Sequence, residues 1–132
     1  MVFPVCELVF TSIIDLPDRN SIVVEEILTE PNQFALYAKL HDEVRYHGIP
    51  EDIRWHCSMS KLFGWPKLVQ GELDLLRGPN ATNPRLLLQV DDYSNGVESH
   101  GWGPGGSLYF LMHDRDLRQH RFDRCEFEIQ FA

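Results

Sequence analysis

The sequence predicts an α+β domain in which a mostly antiparallel sheet is combined with one long helix, at about residues 31–47, and short helical turns. Three observations lead to this fold class. Apolar, strand-like runs separated by loops fill the second half of the chain, one segment has helical periodicity, and no shift in composition marks a second domain. The 132 residues, 43% of them hydrophobic, are therefore expected to form a single domain, residues 1–132, with its own core.

Two segments precede the long helix. Residues 3–16 are rich in β-branched and large apolar side chains and end in Leu16-Pro17-Asp18, which predicts a strand followed by a turn. Residues 21–28 are ambiguous, because Ile22, Val23 and Val24 favour a strand whereas a cap at Asp18 or Ser21 would suit a helix. A short helix is the preferred interpretation.

The long helix has recognisable ends and one apolar face. Pro31 suits the first helical turn, and Gly48 stands where a left-handed C-terminal cap belongs. The apolar positions that recur at helical spacing are Phe34, Tyr37, Leu40 and Val44. The charged positions expected on the solvated side are Lys39, Asp42, Glu43 and Arg45.

The remainder of the chain is typical of strands with long connections. Strands are predicted at residues 55–59, 71–76, 85–90, 107–113 and 125–131, with a turn at 61–70 and a loop at 77–84. The last strand alternates Cys125, Phe127, Ile129 and Phe131 with Glu126, Glu128 and Gln130, which is the amphipathic pattern of a sheet strand. Residues 114–121 favour one or two helical turns.

The charge of the chain restricts its partners. A net charge of −8 argues against nucleic acid as a partner, because phosphate neutralisation requires a clustered basic face. Residues 1–60 contain ten acidic residues against four Lys and Arg, so a basic protein partner would be steered to this half. No apolar run reaches the ~18 residues of a membrane span, and the first ten residues lack the basic start of a secretory signal. These observations predict a cytoplasmic protein with no membrane partner.

Residues that could carry chemistry form no complete catalytic or metal-binding set. Cys6, Cys57 and Cys125 lie far apart in apolar segments and are expected to be reduced, buried thiols. The six histidines lack zinc-ligand spacing, and the acidic, glycine-rich loop at 91–106 fails the ligand pattern of a calcium loop. We therefore expect no cofactor and no metal, and the chain is more consistent with a binding protein than with an enzyme.

Gln89 is conspicuous because it interrupts an apolar strand. A buried amide without hydrogen-bond partners would cost about 1–3 kcal/mol. Two explanations stay open: the side chain ties down a neighbouring loop, which is favoured, or it points into a pocket.

Three ordered motifs resemble the C-terminal half of the YwqG-like family, a bacterial domain of unknown function. They are SKLFGWP at 60–66 followed by VQG at 69–71, LLLQVD at 86–91, and WGPGGSLYF at 102–110. The chain departs from the family's usual motifs, with Ser60 in place of a His, Phe63 in place of a small residue and Pro104 in place of an Asp. These departures argue against a shared catalytic role for those positions.

The resemblance implies a particular organisation and two classes of function. Typical members are about twice this length, in the size range of a 200–250-residue domain, and contain two similar units, of which this chain corresponds to one. The preferred hypothesis is a recognition domain that binds a protein partner in an immunity or regulatory role. The alternative is a small-molecule-binding or enzymatic pocket where the motifs converge, formed by Trp65, Gln70, Gln89, Asp91, Trp102 and Tyr109. A third hypothesis is a homodimer that restores the doubled architecture.

Overall fold

A computed structural model describes residues 10–47, 60–77, 84–94, 99–100 and 105–131. The helices in these residues are α1 (Ile22–Ile27), α2 (Pro31–Arg45) and α3 (Asp114–Arg118), with 3-10 turns at Asp74–Leu76 and Phe122–Arg124. The strands are β1 (Lys61–Leu62), β2 (Pro84–Asp91), β3 (Tyr93–Ser94), β4 (Ser99–His100), β5 (Ser107–His113) and β6 (Glu126–Gln130). The predicted α+β class is confirmed.

The main sheet is antiparallel and has the strand order β1-β2-β5-β6, while β3 and β4 pair separately. Its central register places Gln89 of β2 opposite both Lys61 of β1 and Tyr109 of β5. Residues directly opposite each other in neighbouring strands share a face of the sheet. Gln89 therefore lies on the same face as Tyr109.

A register shift in β2 changes which of its residues share that face. Leu86 pairs with Leu111 and Leu88 with Phe110, so one residue, Leu87, is extra on the β2 side. Without the shift, Leu86 and Gln89 would point to opposite faces, because strand side chains alternate. With it, both lie on the face that carries Tyr109 and Leu111.

This face carries the hydrophobic core. The buried cluster consists of Leu68, Leu73, Leu86, Tyr109 and Leu111, with Leu75 and Leu76 packed against it. Leu68 and Leu73 belong to residues 63–73, which run across the sheet with no regular secondary structure and which we call the anchored loop. The core therefore lies between the sheet and a loop.

The buried side of β6 is its polar side. Phe127 and Phe131 are 57% and 39% exposed, whereas Gln130 is only 5% exposed. The strand alternates as its sequence predicts, but the covered position next to the anchored loop is an amide. Gln130 bonds the loop backbone there, which an apolar side chain could not do.

Two predicted strands are wrong over the described residues. Residues 10–16 form no strand, because no other described segment pairs with them and strand propensity needs a neighbour to become structure. In the segment 71–76 the structure has a 3-10 turn at Asp74–Leu76 instead. Consecutive Leu75 and Leu76 both pack on the core, an arrangement that strand alternation would prevent.

The helices are close to prediction. The helical interpretation of residues 21–28 is confirmed by α1, and α2 ends two residues earlier than expected, at Arg45. Leu40 is 48% exposed and so is not part of the covered face of α2, and Arg45, expected in solvent, is partly buried. The hydroxyl of Tyr37 fastens α2 to the chain before α1 by donating to the carbonyl of Pro17 at 2.6 Å.

Several predictions fall on residues that are not described. They are the strand at 55–59, the first part of the strand at 3–16, most of the loop at 77–84, the cap at Gly48, and Cys6, Cys57 and Trp102. Cys125 is partly buried and has a free thiol, and burial raises its pKa, with a smaller contribution from Glu126. Among the described helices, none is both long and apolar enough to cross a membrane.

Candidate functional site

Three of the predicted site residues meet around Lys67: Gln89 and Tyr109 bind its backbone, and Asp91 binds Gln89 beside it. Gln89 Oε1 accepts a hydrogen bond from the Lys67 amide at 2.9 Å, and Gln89 Nε2 donates to the Lys67 carbonyl at 3.3 Å and to Asp91 Oδ1 at 2.8 Å. The hydroxyl of Tyr109 also donates to the Lys67 carbonyl, at 2.7 Å. Sheet register puts all three side chains on the loop-facing side, so their convergence follows from the fold.

Asp91 extends this cluster towards solvent. Its Oδ1 accepts a 2.6 Å hydrogen bond from Ser107, and its Oδ2 lies 3.8 Å from the ammonium of Lys67. Burial lowers the pKa of Lys67, a shift that Asp91 opposes and Arg45 reinforces. Burial also raises the pKa of Tyr109 to about 12. The phenol of Tyr109 therefore stays protonated beside the ion pair of Lys67 and Asp91.

The polar atoms of this cluster serve the protein itself. Gln89 and Tyr109 are both 0% exposed, and their side-chain bonds end on the anchored loop or on Asp91. The geometry agrees with the explanation in which Gln89 ties down a neighbouring loop. The role that Gln89, Asp91 and Tyr109 play here is to fix the position of Lys67.

Side chains from other segments hold the anchored loop along its length. Every backbone N–H from residue 65 to residue 70 donates to a side-chain oxygen, residue 66 being a proline without one. The acceptors are Asp15 for Trp65, Gln89 for Lys67, Asp18 for Leu68, and Gln130 for both Val69 and Gln70. Gln130 Nε2 also donates to the carbonyl of Gly71 at 3.0 Å. These bonds replace the ladder that a strand would provide.

The other predicted site residues lie apart from the cluster. The indole of Trp65 is 40% exposed, and its backbone is held by Asp15 Oδ2 at 2.6 Å. Gln70 is exposed at the far end of the same loop. Trp102 lies outside the described residues. The anchored loop thus presents two of the predicted residues, Trp65 and Gln70, at its surface.

A small charged cleft lies between α2 and the start of the anchored loop. It is lined by polar side chains that include Asp15, His41, Arg45, Lys61 and Lys67. Lys61 is engaged by both carboxylate oxygens of Asp15 at 3.0 Å, whereas Arg45 Nε is buried without a hydrogen-bond partner among the described residues. The cavity volume of about 20 Å³ accommodates little more than one water molecule.

A much larger groove opens on the other side of the anchored loop, against α1. Its volume of about 570 Å³ is within the range of small-molecule sites. Ile22 and Val69 form apolar parts of its wall, and Gln70, Glu72 and Arg77 contribute polar groups.

Glu72 is the functional candidate that the sequence did not single out. It is only 7% exposed, and its Oε2 accepts a 2.7 Å hydrogen bond from the Ile22 amide at the start of α1. Its Oε1 is buried with no hydrogen-bond partner among the described residues. The sequence predicts a strand around Glu72, in which it is an ordinary polar position. Ser21 looks like an adequate helix cap in the sequence, so only the structure shows that its side chain makes no cap bond and that Glu72 binds the helix start instead.

No group of three or more His, Cys, Asp or Glu in the described part of the chain is arranged to hold a metal ion. Residues 3–130 match a protein family described as "Domain of unknown function (DUF1963)". None of the curated proteins matches the chain.

Proposed function

The chain belongs to the DUF1963 family of unknown function, and we propose that it is a recognition domain that binds a protein partner with a basic surface. The main support for this proposal is the exposure of α2, a 15-residue helix in which no residue is buried. Helices of this length are marginal without packing. A helix that leaves so much of itself uncovered is available for a second protein.

Exposed aliphatic side chains accompany the uncovered helix. Leu36 and Leu40 of α2 are 70% and 48% exposed, and Ile27 at the end of α1 is 70% exposed. A single exposed apolar residue is ordinary, but several along one stretch of chain favour an interaction surface. We call α1, α2 and their connection the acidic helical surface.

The charge of this surface determines the chemistry of the partner. Its exposed acidic residues are Glu25, Glu26, Glu30, Asp42 and Glu43, against the exposed Lys39 and the partly buried Arg45. Such an excess attracts a basic protein and accelerates the encounter at low salt. The apolar residues would then stabilise the complex once it has formed.

The finer parts of the proposal come from the sequence resemblance. Membership in the YwqG-like group and an immunity or regulatory role are both proposed on that basis. Action in the cytoplasm is proposed on the sequence expectations given above. Acidic binding proteins are common among immunity-type proteins. This argument is an analogy with related proteins and does not depend on the geometry of a site.

Affinity capture from the native cell, followed by binding measurements with the identified protein, tests the proposal. We expect that protein to be rich in Lys and Arg and its affinity to fall about tenfold or more on raising salt from about 50 to 200 mM. The double variant Leu36→Ser/Leu40→Ser should weaken binding by a similar factor.

Phe122→Ser is the matched control, because Phe122 is 54% exposed but lies outside the acidic helical surface. Equal loss of binding in both variants, salt-insensitive binding, or no partner above background at low salt would each contradict the proposal.

A further inference from the structure

The groove between α1 and the anchored loop contains polar side chains that have no polar partner among the described residues. Asn20, Glu25, Gln70 and Arg77 line it, and their side chains form no hydrogen bond or ion pair with any described residue. Polar groups in the charged cluster around Lys67, in contrast, are bonded to one another. The groove is therefore open to a polar ligand.

Glu72 gives an independent indication of what that ligand carries. Its carboxylate is more than nine-tenths buried in the wall of the groove, and only one of its two oxygens is satisfied. A buried acceptor without a donor is destabilising, because it has lost its hydrogen bonds to water. An ammonium or guanidinium group in the groove would supply the opposite charge beside this carboxylate.

Arg77 places a positive charge in the same groove. Its Nη2 atom lies 3.8 Å from the position that a Cβ would occupy at Gly71, so the guanidinium reaches over the loop backbone. Although Glu25 and Glu72 line the same groove, neither forms an ion pair with Arg77. A ligand that carries both signs of charge would pair with these groups separately.

We infer that this groove binds a small molecule of the basic amino-acid type, with a cationic side chain and a cationic amine on one molecule that also carries a carboxylate. Two carboxylates and one guanidinium in the groove complement two cations and one carboxylate in the ligand. Ile22 and Val69 provide apolar surface for the methylene stem of such a side chain. The amides of Asn20 and Gln70 add uncharged donors and acceptors.

This site shares Ile22 and Glu25 of α1 with the acidic helical surface, but its ligand is a small molecule, so it is tested separately with the intact chain and small probes. Isotope-labelled protein is titrated with L-arginine, with agmatine, which lacks the carboxylate, and with L-norvaline, which lacks the guanidinium. We expect saturable shifts of the Gln70, Gly71 and Glu72 amides with L-arginine, and affinities about tenfold weaker for each of the other two probes.

Neighbouring glutamates on α1 provide a matched pair of variants. Glu25 lines the groove, whereas Glu26, which is also exposed, does not, so Glu25→Gln should weaken L-arginine binding severalfold and Glu26→Gln should leave it unchanged. Arg77→Gln should weaken the binding of L-arginine about tenfold. It should leave the binding of agmatine unchanged, because agmatine has no carboxylate that could pair with Arg77. Glu72→Gln should weaken the binding of both L-arginine and agmatine about tenfold.

The inference is overturned by any of three results. These are the absence of saturable shifts at the groove, equal effects of Glu25→Gln and Glu26→Gln, and equal loss of L-arginine and agmatine in Arg77→Gln. Should Glu72→Gln fail to fold, the Glu25, Glu26 and Arg77 variants decide the matter.

Discussion

The side-chain amide of Gln89 binds both backbone polar groups of Lys67, its N–H and its carbonyl. The amide oxygen of Gln89 accepts from the Lys67 N–H at 2.9 Å, and the amide nitrogen donates to the Lys67 carbonyl at 3.3 Å. A side chain in the middle of β2 thereby imitates the backbone of a neighbouring strand. The anchored loop can cross the sheet without itself being a strand because of such bonds.

Replacing Gln89 with Leu should lower the free energy of unfolding by about 2–3 kcal/mol. Leucine has a similar size but cannot satisfy the Lys67 amide, and it removes one donor to Asp91. Urea unfolding followed by fluorescence measures the change. Gln119→Leu is the control, since Gln119 is exposed and its change should stay within about 0.5 kcal/mol. Similar losses in the two variants would contradict the anchoring role.

Tyr109 should make stability fall between pH 10 and pH 12. Its folded pKa is raised from 10.0 to about 12, chiefly by burial, so in this window the unfolded chain has released a proton that the folded chain keeps. Because the unfolded state binds fewer protons in this window, the free energy of unfolding decreases as pH rises. Below pH 10 the tyrosine is protonated in both states and does not change the free energy of unfolding with pH. Urea midpoints at pH 9, 10, 11 and 12 should therefore decline more steeply for wild type than for Tyr109→Phe. Parallel pH profiles would rule out the raised pKa.

Gly64→Ala should destabilise the fold more than Gly71→Ala. Both glycines have positive φ, 78° and 108°, so both substitutions are strained. A Cβ at Gly64 would in addition collide with the Asp15 carboxylate, whereas at Gly71 the nearest atom is Arg77 Nη2 at 3.8 Å. We expect a cost of about 1–2 kcal/mol at Gly71 and a larger cost at Gly64.

A double-mutant cycle separates the collision at Gly64 from the backbone strain. In an Asp15→Ala background, Gly64→Ala should cost about as much as Gly71→Ala, because only the positive φ is left to oppose it. An unchanged cost in that background would show that the Asp15 contact does not contribute.

Lys67 should have a pKa below the usual value of a lysine side chain. Burial lowers the pKa of Lys67, with a smaller lowering by Arg45, and Asp91 partly counteracts both. Reductive methylation with carbon-13 keeps the charge and allows Lys67 to be titrated by NMR. Arg45→Gln should bring the pKa of Lys67 closer to the usual lysine value. A Lys67 that titrates at the usual lysine pKa would contradict the described burial.

Periodicity in the sequence was sufficient to predict the longer regular elements. The positions of α2, β2, β5 and β6 follow from apolar spacing, and the lone amide in the run at 86–90 favoured, of two explanations, the one in which Gln89 ties down a loop. These features are determined by residues close together in the chain, so they can be predicted from the local sequence pattern.

The site depends on relationships that local pattern does not contain. Leu87 gives no sign of the register shift that turns Leu86 and Gln89 to one face. Glu72 and Gln130 look like ordinary polar positions until α1 and the anchored loop are placed beside them. The groove is formed by residues from 20 to 77, and nothing in their sequence spacing indicates that they meet.

The bonds of the anchored loop also set an order of events in folding. Its amides are satisfied by side chains 22, 50, 60 and 61 residues away in sequence, so they can form only after β2, β6 and the segment before α1 have come together. Contacts of such separation are slow to close. We therefore expect the loop to be among the last parts of the chain to become ordered. Hydrogen exchange at the Leu68 amide should then report on the loss of these distant contacts rather than on the fraying of a surface turn.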